Sequence, residues 1–288
     1  MAYKIHHLNC ATLCPSTRRL VNGEQGLLSL LKKGLLVCHC LLIETDQGLV
    51  LVDTGFSLGD IASQNWRHRL SFTAFQAKLD PAECALSQIR ALGFRPQDVT
   101  DIILTHLDFD HAGGIKDFPH AKVHVYEKEF VGAALPQSLR QQYRYPADLI
   151  SSHQNWMPHR FEGERWNGFE RVNVLSDKQY DILLVPMLGH SIGHCGVAVS
   201  TSDGWLLHCG DAYFHKSEMV TGDAELPPAL NAIENMIEYN HEDRIQNRDR
   251  LAALSIDPNN DITLFCSHDH DEFQACCHQP RLLGRLAV

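Results

Sequence analysis

The segment Thr105-His106-Leu107-Asp108-Phe109-Asp110-His111 constrains this chain more than any other. It runs straight on from the apolar residues Ile102-Ile103-Leu104, so two histidines and two carboxylates are mounted on the end of a buried strand. Four more segments follow the same plan. They are Val52-Asp53-Thr54-Gly55, Leu188-Gly189-His190-Ser191-Ile192-Gly193-His194, Cys209-Gly210-Asp211 and Ser267-His268-Asp269. Strand ends are rigid mounts, and loops leaving them can converge on one edge of a sheet. Imidazoles and carboxylates gathered there are what a first-row divalent metal binds.

Around these segments, strands and helices alternate. Leu35 to Glu44 and Leu49 to Asp53 are apolar, β-rich runs around Thr45-Asp46-Gln47-Gly48, which predicts a β-hairpin. Asp80-Pro81 opens a helix, with Ala85, Leu86, Ile89 and Leu92 as its apolar stripe and Gly93 as its stop. Strands follow at Ile102 to Leu104, Lys122 to Tyr126 and Ile182 to Pro186. A hairpin of Gly196 to Ser200 and Trp205 to Cys209 turns at Asp203-Gly204. Glu225 to Leu254 reads as mainly helix after Pro227-Pro228, and Thr263 to Cys266 as a last strand. Residues 127–171 are rich in Gln, Arg, Trp, Tyr and Pro without clean periodicity and read as a lid-like insertion. With no repeat, low-complexity tract or linker, residues 1–288 are expected to form a single α/β domain.

Composition narrows the function. Of 288 residues, 35 are Asp or Glu and 25 are Lys or Arg, a formal net charge of −10, which argues against a broad basic face for nucleic acid. No apolar run approaches the roughly 18 residues of a membrane span, so no membrane partner is expected. The N-terminal segment lacks the apolar core of a secretory signal, which predicts a cytoplasmic protein whose 10 cysteines are reduced. Cys10 with Cys14 and Cys276 with Cys277 have metal or redox spacings, but small hydrophobic roles are the expectation for all ten.

The order and spacing of the five strand-end segments resemble the metallo-β-lactamase-fold hydrolases across residues from about 35 to 270. That family has an H-x-H-x-D-H signature after a strand, a G-H-[ST]-x-G-H segment, a bridging Asp after a strand and a late His. The resemblance implies an αββα sandwich with a two-metal site at one edge of its sheets. It implies that His106 and His190 bind the first metal, that Asp110, His111 and His268 bind the second, and that Asp211 bridges them. Asp53 matches an aspartate that supports the loop without touching metal. Each neutral imidazole should donate its other N–H to an acceptor.

At one position the chain departs from that signature: Asp108 stands where the second His belongs. If Asp108 coordinates, the first site becomes two histidines and a carboxylate plus the shared Asp211, as in the family's flavodiiron proteins. Three carboxylates against two divalent cations leave one net positive charge instead of two, so bound water is acidified less. A harder donor also makes iron or manganese plausible beside zinc. If Asp108 does not coordinate, only the second site fills. Coordination is the expectation here, with two divalent metal ions, zinc first among them.

Other residues have bland readings. His194 is expected to pack or to support a ligand, and Asp269 to be a ligand's partner or a solvated turn residue. His6, His7, His39, His153, His159, His241, His270 and His278 show no partner in sequence. Tyr143, Tyr145, Trp156, His159, Phe161 and Trp166 either line a pocket mouth or pack the insertion down. Arg244, Asn247, Arg248 and Arg250 read as a solvated helix face. In the family's lactonases a Tyr three residues after the bridging Asp assists the carbonyl. Here that residue is Phe214, with Tyr213 one position early.

The resemblance therefore implies a lactonase- or esterase-like metal-dependent hydrolase acting on a small ester, lactone or thioester. A metal-bridging hydroxide would attack the carbonyl, and Asp110 would orient it or take its proton. The nucleases of the fold need a basic surface, and its glutathione-thioester hydrolases add a helical C-terminal domain, for which the 20 residues after His268 leave no room. Two other classes stay open: a metal-loaded protein that binds or senses a small ligand with little turnover, and a redox di-iron protein. Oligomeric state is not readable from the sequence.

Overall fold

The structure is a computed structural model that describes residues 4–62, 69, 72–73, 75–145, 148–176, 181–220 and 226–278. Its framework is two β-sheets. The first has seven strands: β1 (Lys4–Leu13), β2 (Leu36–Thr45), β3 (Gly48–Val52), β4 (Ala77–Lys78), β5 (Val99–Ile103), β6 (Lys122–Tyr126) and β7 (Trp156–His159), in the order β4-β1-β2-β3-β5-β6-β7. A small pair, β8 (Arg165–Trp166) and β9 (Phe169–Glu170), leads to the second sheet. That sheet runs in sequence order through β10 (Val172–Ser176), β11 (Asp181–Pro186), β12 (Cys195–Thr201), β13 (Gly204–His208) and β14 (Ile262–Phe265).

Side-chain alternation along the strands makes the layers. Leu41, Ile43, Val50, Val52 and Ile103 of the first sheet share one buried cluster with Ile182, Leu184, Val197, Val199 and Phe265 of the second. Their neighbours point the other way. Cys40, Leu42, Leu49, Leu51 and Ile102 pack with Ala85, Leu86 and Ile89 of helix α1 (Ala85–Ala91). Behind the second sheet, Leu183, Val185, Ala198 and Leu207 pack with Leu251 and Ala252. Helix, sheet, sheet, helix: the αββα sandwich expected above is the observed fold.

Both hairpins form as expected, at Leu36–Thr45/Gly48–Val52 and Cys195–Thr201/Gly204–His208. Three features differ from the expectation. Asp80 caps only a short 3-10 turn, accepting from Ala82 N at 3.0 Å, and α1 begins after it at Ala85. The late helix is two: α4 (Pro228–Ile237) and α5 (His241–Ile256), while Glu225 lies outside the described residues. The chain breaks between them because Tyr239 N and Asn240 N donate to the Gly189 carbonyl, and Asn240 then caps α5 through Asp243 N. Residues 127–171 are also more regular than their composition suggests. They hold α2 (Glu127–Ala134), α3 (Leu139–Arg144) and β7, whose Trp156 to His159 pair in parallel with Val123 to Tyr126.

Strand direction places the loops. β3, β5 and β6 pair in parallel, so the loops after β3 and β5 leave from one edge of the first sheet. In the second sheet β11 and β13 both run antiparallel to β12, and β14 runs parallel to β13, so their loops also leave from one edge. The sheets meet there: His39 N donates to Ser267 O at 2.9 Å, and Cys195 N to Thr105 O at 2.9 Å. Among the described residues, no helix is long and apolar enough to cross a membrane.

Candidate metal centre

All five strand-end segments converge. Asp211, at the end of β13, is 3% exposed, and four imidazoles face its carboxylate. His268 Nε2 lies 3.1 Å from Oδ2, His190 Nε2 3.4 Å and His106 Nε2 3.8 Å, while His111 Nε2 lies 3.3 Å from Oδ1. Asp110 Oδ2 completes one side, 3.7 Å from both His111 Nε2 and His268 Nε2. Asp108 Oδ2 completes the other, 3.1 Å from His190 Nε2 and 3.3 Å from His106 Nε2. Every residue expected in the site from the sequence, His106, Asp108, Asp110, His111, His190, Asp211 and His268, is therefore in one cluster.

The donor set fits a divalent metal. His106 Nε2, His111 Nε2 and Asp211 Oδ1 are buried without a hydrogen-bond partner, which is costly for polar atoms unless something binds there. The opposite ring nitrogens are held: His111 Nδ1 by Asp53 Oδ2 at 2.9 Å, His268 Nδ1 by the Val37 carbonyl at 2.7 Å, and His106 Nδ1 by Thr105 Oγ1 at 3.0 Å. Those bonds fix the rings with Nε2 turned inward, as metal-binding histidines require. His190 Nδ1 is the exception and has no partner.

Asp53 does not reach the cluster's centre. It sits at φ +52°, a left-handed conformation that is unusual for a residue with a side chain. Its carboxylate accepts from Thr105 N and Thr105 Oγ1, both at 2.8 Å, as well as pairing with His111. One aspartate thus locks the loop that follows β5. His194 is likewise a support: Nδ1 donates to the Met187 carbonyl at 2.8 Å, and Nε2 accepts from Asp211 N at 2.8 Å. With both nitrogens engaged it positions the bridging candidate and has none left for a metal. Gly210 must be glycine for this contact, since a Cβ there would lie 2.5 Å from His194 Nε2.

Several supports carried no signal in the sequence. Glu129, on α2, is fully buried and accepts four hydrogen bonds: from Leu107 N (3.1 Å), Tyr145 OH (3.0 Å), Ser191 Oγ (2.8 Å) and Gly193 N (2.8 Å). It ties the loop of His106 to the loop of His190. The second glycine of the G-H-x-x-G-H segment follows from the same contact, because a Cβ on Gly193 would meet Glu129 N at 2.3 Å. Arg144, on α3, grips Asp108 in a fork, Nε to Oδ1 and Nη2 to Oδ2, both at 2.6 Å. Cys38, expected to be a small hydrophobe in β2, instead has Sγ 3.7 Å from Asp110 Oδ2. All ten cysteines are free thiols.

Other readings are revised. Of the four α5 residues read as solvated, Arg250 is exposed and Arg248 half-buried, but Arg244 and Asn247 are buried: Arg244 binds Glu238 (2.6 Å) and Asn235 (2.9 Å), and Asn247 donates to the Leu188 carbonyl at 2.8 Å. This face holds the turn before His190. Asp269 is neither a ligand's partner nor a solvated turn residue but a buried cap for α6 (His270–His278), accepting from Asp271 N and Glu272 N. Tyr213 turns away from the centre and donates to Glu272 Oε1 at 3.0 Å, leaving Phe214 packed on the His268 ring with centroids 4.6 Å apart. His7 bonds buried His39 (2.8 Å) and His159 bonds buried His124 (2.9 Å), so both belong to half-buried polar pairs.

Electrostatics separate the two sides. Burial raises the Asp108 carboxyl, but the Arg144 guanidinium and then His106 more than offset it and hold it well below the usual carboxylate range. Burial, then Arg144, lowers His190 to about 3. On the other side burial is outweighed by Asp211 and Asp110, which push His111 well above its ordinary value. Above the centre opens a cavity of about 1010 Å³, with Asp108, Asp110, Asp211 and His268 on its floor and Phe56, Phe72, Phe75, Phe109 and Met236 in its walls.

Known proteins resemble this chain in sequence and in fold. The metallo-beta-lactamase superfamily model matches residues 34–268. A probable metallo-hydrolase of Mycobacterium tuberculosis is 38% identical over 275 residues, covering 94% of this chain and 82% of the relative. An N-acyl homoserine lactonase of Bacillus thuringiensis is 28% identical over 180 residues, 62% of this chain and 64% of the relative. In fold, the chain resembles an N-acyl homoserine lactone hydrolase solved with the product N-hexanoyl-L-homoserine at its catalytic metal centre. The TM-score is 0.67 at 21% identity, over 96% of this chain and 97% of that one.

Proposed function

The chain belongs to the metallo-beta-lactamase superfamily and is a metal-dependent hydrolase, and on that premise we propose that it cleaves a small ester or lactone bearing an apolar substituent. One observation carries the reading: four inward-facing imidazole nitrogens gather around Asp211, and Asp108, Asp110, Asp211 and His268 line the floor of a cavity that Phe56, Phe72, Phe75, Phe109 and Phe214 also line. Such a cavity accepts an apolar chain along its walls and orients a carbonyl at its floor.

His106, Asp108 and His190 would hold one divalent ion, Asp110, His111 and His268 the other, and Asp211 both. Bound metal supplies a water acidified towards neutral pH and a Lewis acid for the carbonyl oxygen. The side chains do the rest. Asp110, 7% exposed and on the cavity floor, takes the proton of the attacking water and returns it to the leaving alkoxide. Phe56, Phe72 and Phe109 exclude water around the reacting carbonyl. The Tyr213 hydroxyl does not assist that carbonyl, because it is committed to Glu272.

The decisive experiment is elemental analysis joined to a turnover panel. Protein reconstituted with zinc, iron or manganese is expected to hold two metals per chain and to open N-acyl lactones or cleave aryl esters. Metal-loaded protein inert to the whole panel would overturn the hydrolase reading in favour of a ligand-binding role. A visible iron absorption band with an electron-donor requirement would replace it with a redox role.

A further inference from the structure

Arg144 is unexpected where it stands. It comes from α3, 36 residues along the chain from Asp108, yet ends in the wall of the metal cavity. Its donors are almost all engaged: two bonds to Asp108, one from Nη1 to the His190 carbonyl at 2.8 Å and one to the Ile237 carbonyl at 2.7 Å. Four of its five N–H groups are therefore used within the protein, which leaves it a poor recognition group for an anionic substrate. The bidentate fork is instead the geometry that matches a guanidinium to a carboxylate.

Charge explains why it is there. A histidine at position 108 would be neutral. The carboxylate of Asp108 adds one negative charge to the centre, and the half-buried guanidinium of Arg144 adds one positive charge beside it. The sum is the same as for histidine. We propose that the Asp108–Arg144 pair replaces the neutral second histidine of the signature as a unit, with Arg144 offsetting the charge that the Asp108 carboxylate adds to the centre. The inference rests on the proposed two-cation centre, and on the bidentate fork that joins the two side chains.

The test is a double-mutant cycle read as metal affinity, by elemental analysis and chelator competition with zinc, on full-length protein whose folding is checked by thermal melting. Asp108→His alone restores the family residue but leaves Arg144 half-buried, without its carboxylate and facing two cations. It is expected to weaken zinc retention by at least about tenfold. Adding Arg144→Gln removes the stranded charge and is expected to bring retention back to within about threefold of the starting protein. Arg144→Gln alone should tighten retention, because a positive neighbour is gone, whereas Arg144→Lys should leave it near the original value.

Loss of zinc in Arg144→Gln would show a merely structural strut and overturn the proposal. So would an Asp108→His variant that keeps zinc with no further change on adding Arg144→Gln. If Asp108→His does not fold, the opposite responses of Arg144→Gln and Arg144→Lys still decide. A starting protein that binds two metals but hydrolyses nothing would end the hydrolase reading and leave this cycle intact.

Discussion

The two halves of the centre are built differently. Asp110, His111 and His268 are held by the sheets themselves: Asp53 at the end of β3 grips His111, and a β2 carbonyl grips His268. Asp108 and His190 depend instead on parts of the 127–145 segment, with Glu129 tying the His106 and His190 loops together and Arg144 holding Asp108, while His106 draws on both kinds of support through Thr105. The first half follows the family's signature residue for residue, and the second departs from it at Asp108. Where strands supply the support, local sequence and support lie close together. Where a distant helix supplies it, a ligand position can change provided its distant partner changes too.

The largest effect should come from the residue common to both halves. Asp211→Ala removes the carboxylate faced by all four imidazoles, so the variant is expected to retain less than one metal per chain and to lose measurable hydrolysis. Retention of two metals would show that the halves do not share Asp211. Asp53→Asn should be next and should strike unevenly. Loss of the His111 partner is expected to weaken metal affinity about 10–100-fold. If the halves are independently supported, one metal should leave well before the other during chelator titration. Simultaneous loss would erase the distinction drawn here.

Glu129→Gln tests the other half. An amide cannot accept from four donors, because its NH₂ faces at least one of them, so a thermal or urea melt is expected to show a loss of about 1–3 kcal/mol. The variant should also show a higher KM or a lower kcat, since the His106 and His190 loops are no longer fastened to each other. A melt unchanged from the starting protein would mean that the loops are set by the sheets alone, as in the first half.

The sequence carried the ligands and the supports Asp53 and His194, but missed the supports that come from the 127–145 segment, and the reason is physical. A ligand at a strand end has a local signature: an apolar run that stops at a His or Asp. His106, Asp110, His111, His190, Asp211 and His268 all have it. Glu129 and Arg144 sit in a helical stretch rich in polar residues, where a buried carboxylate or guanidinium looks no different from a solvated one. The solvated reading of Arg244 and Asn247 failed for the same reason, because the groups that bury this part of the face, Glu234, Glu238 and the turn at Gly189, arrive from elsewhere. Strands β2, β3, β5, β6 and β11 to β14 showed through their apolar runs. β7 did not, because Trp156-Met157-Pro158-His159 lacks both alternation and β-branched residues, and only pairing with β6 makes it a strand.

Glu272 offers the finest test, because it is the counterpart of Glu129 in the strand-supported half. Its carboxyl accepts from Cys266 N at 2.9 Å and from Tyr213 OH at 3.0 Å, joining the loop before His268 to the loop after Asp211. Burial, with Asp269 adding to it, raises this carboxyl from 4.5 to about 8. A folded state that holds its proton more tightly than the unfolded chain is stabilised fully below the unfolded value and loses that advantage as pH rises through the folded one. The contribution of Glu272 should therefore fade between about pH 4.5 and 8. Glu272→Gln fixes the neutral form, so its melting temperature should depend less on pH in that window and should exceed that of the starting protein most clearly near pH 8. Unchanged slopes would show that the two glutamates are not equivalent braces, with the Tyr213 and Cys266 contacts indifferent to charge.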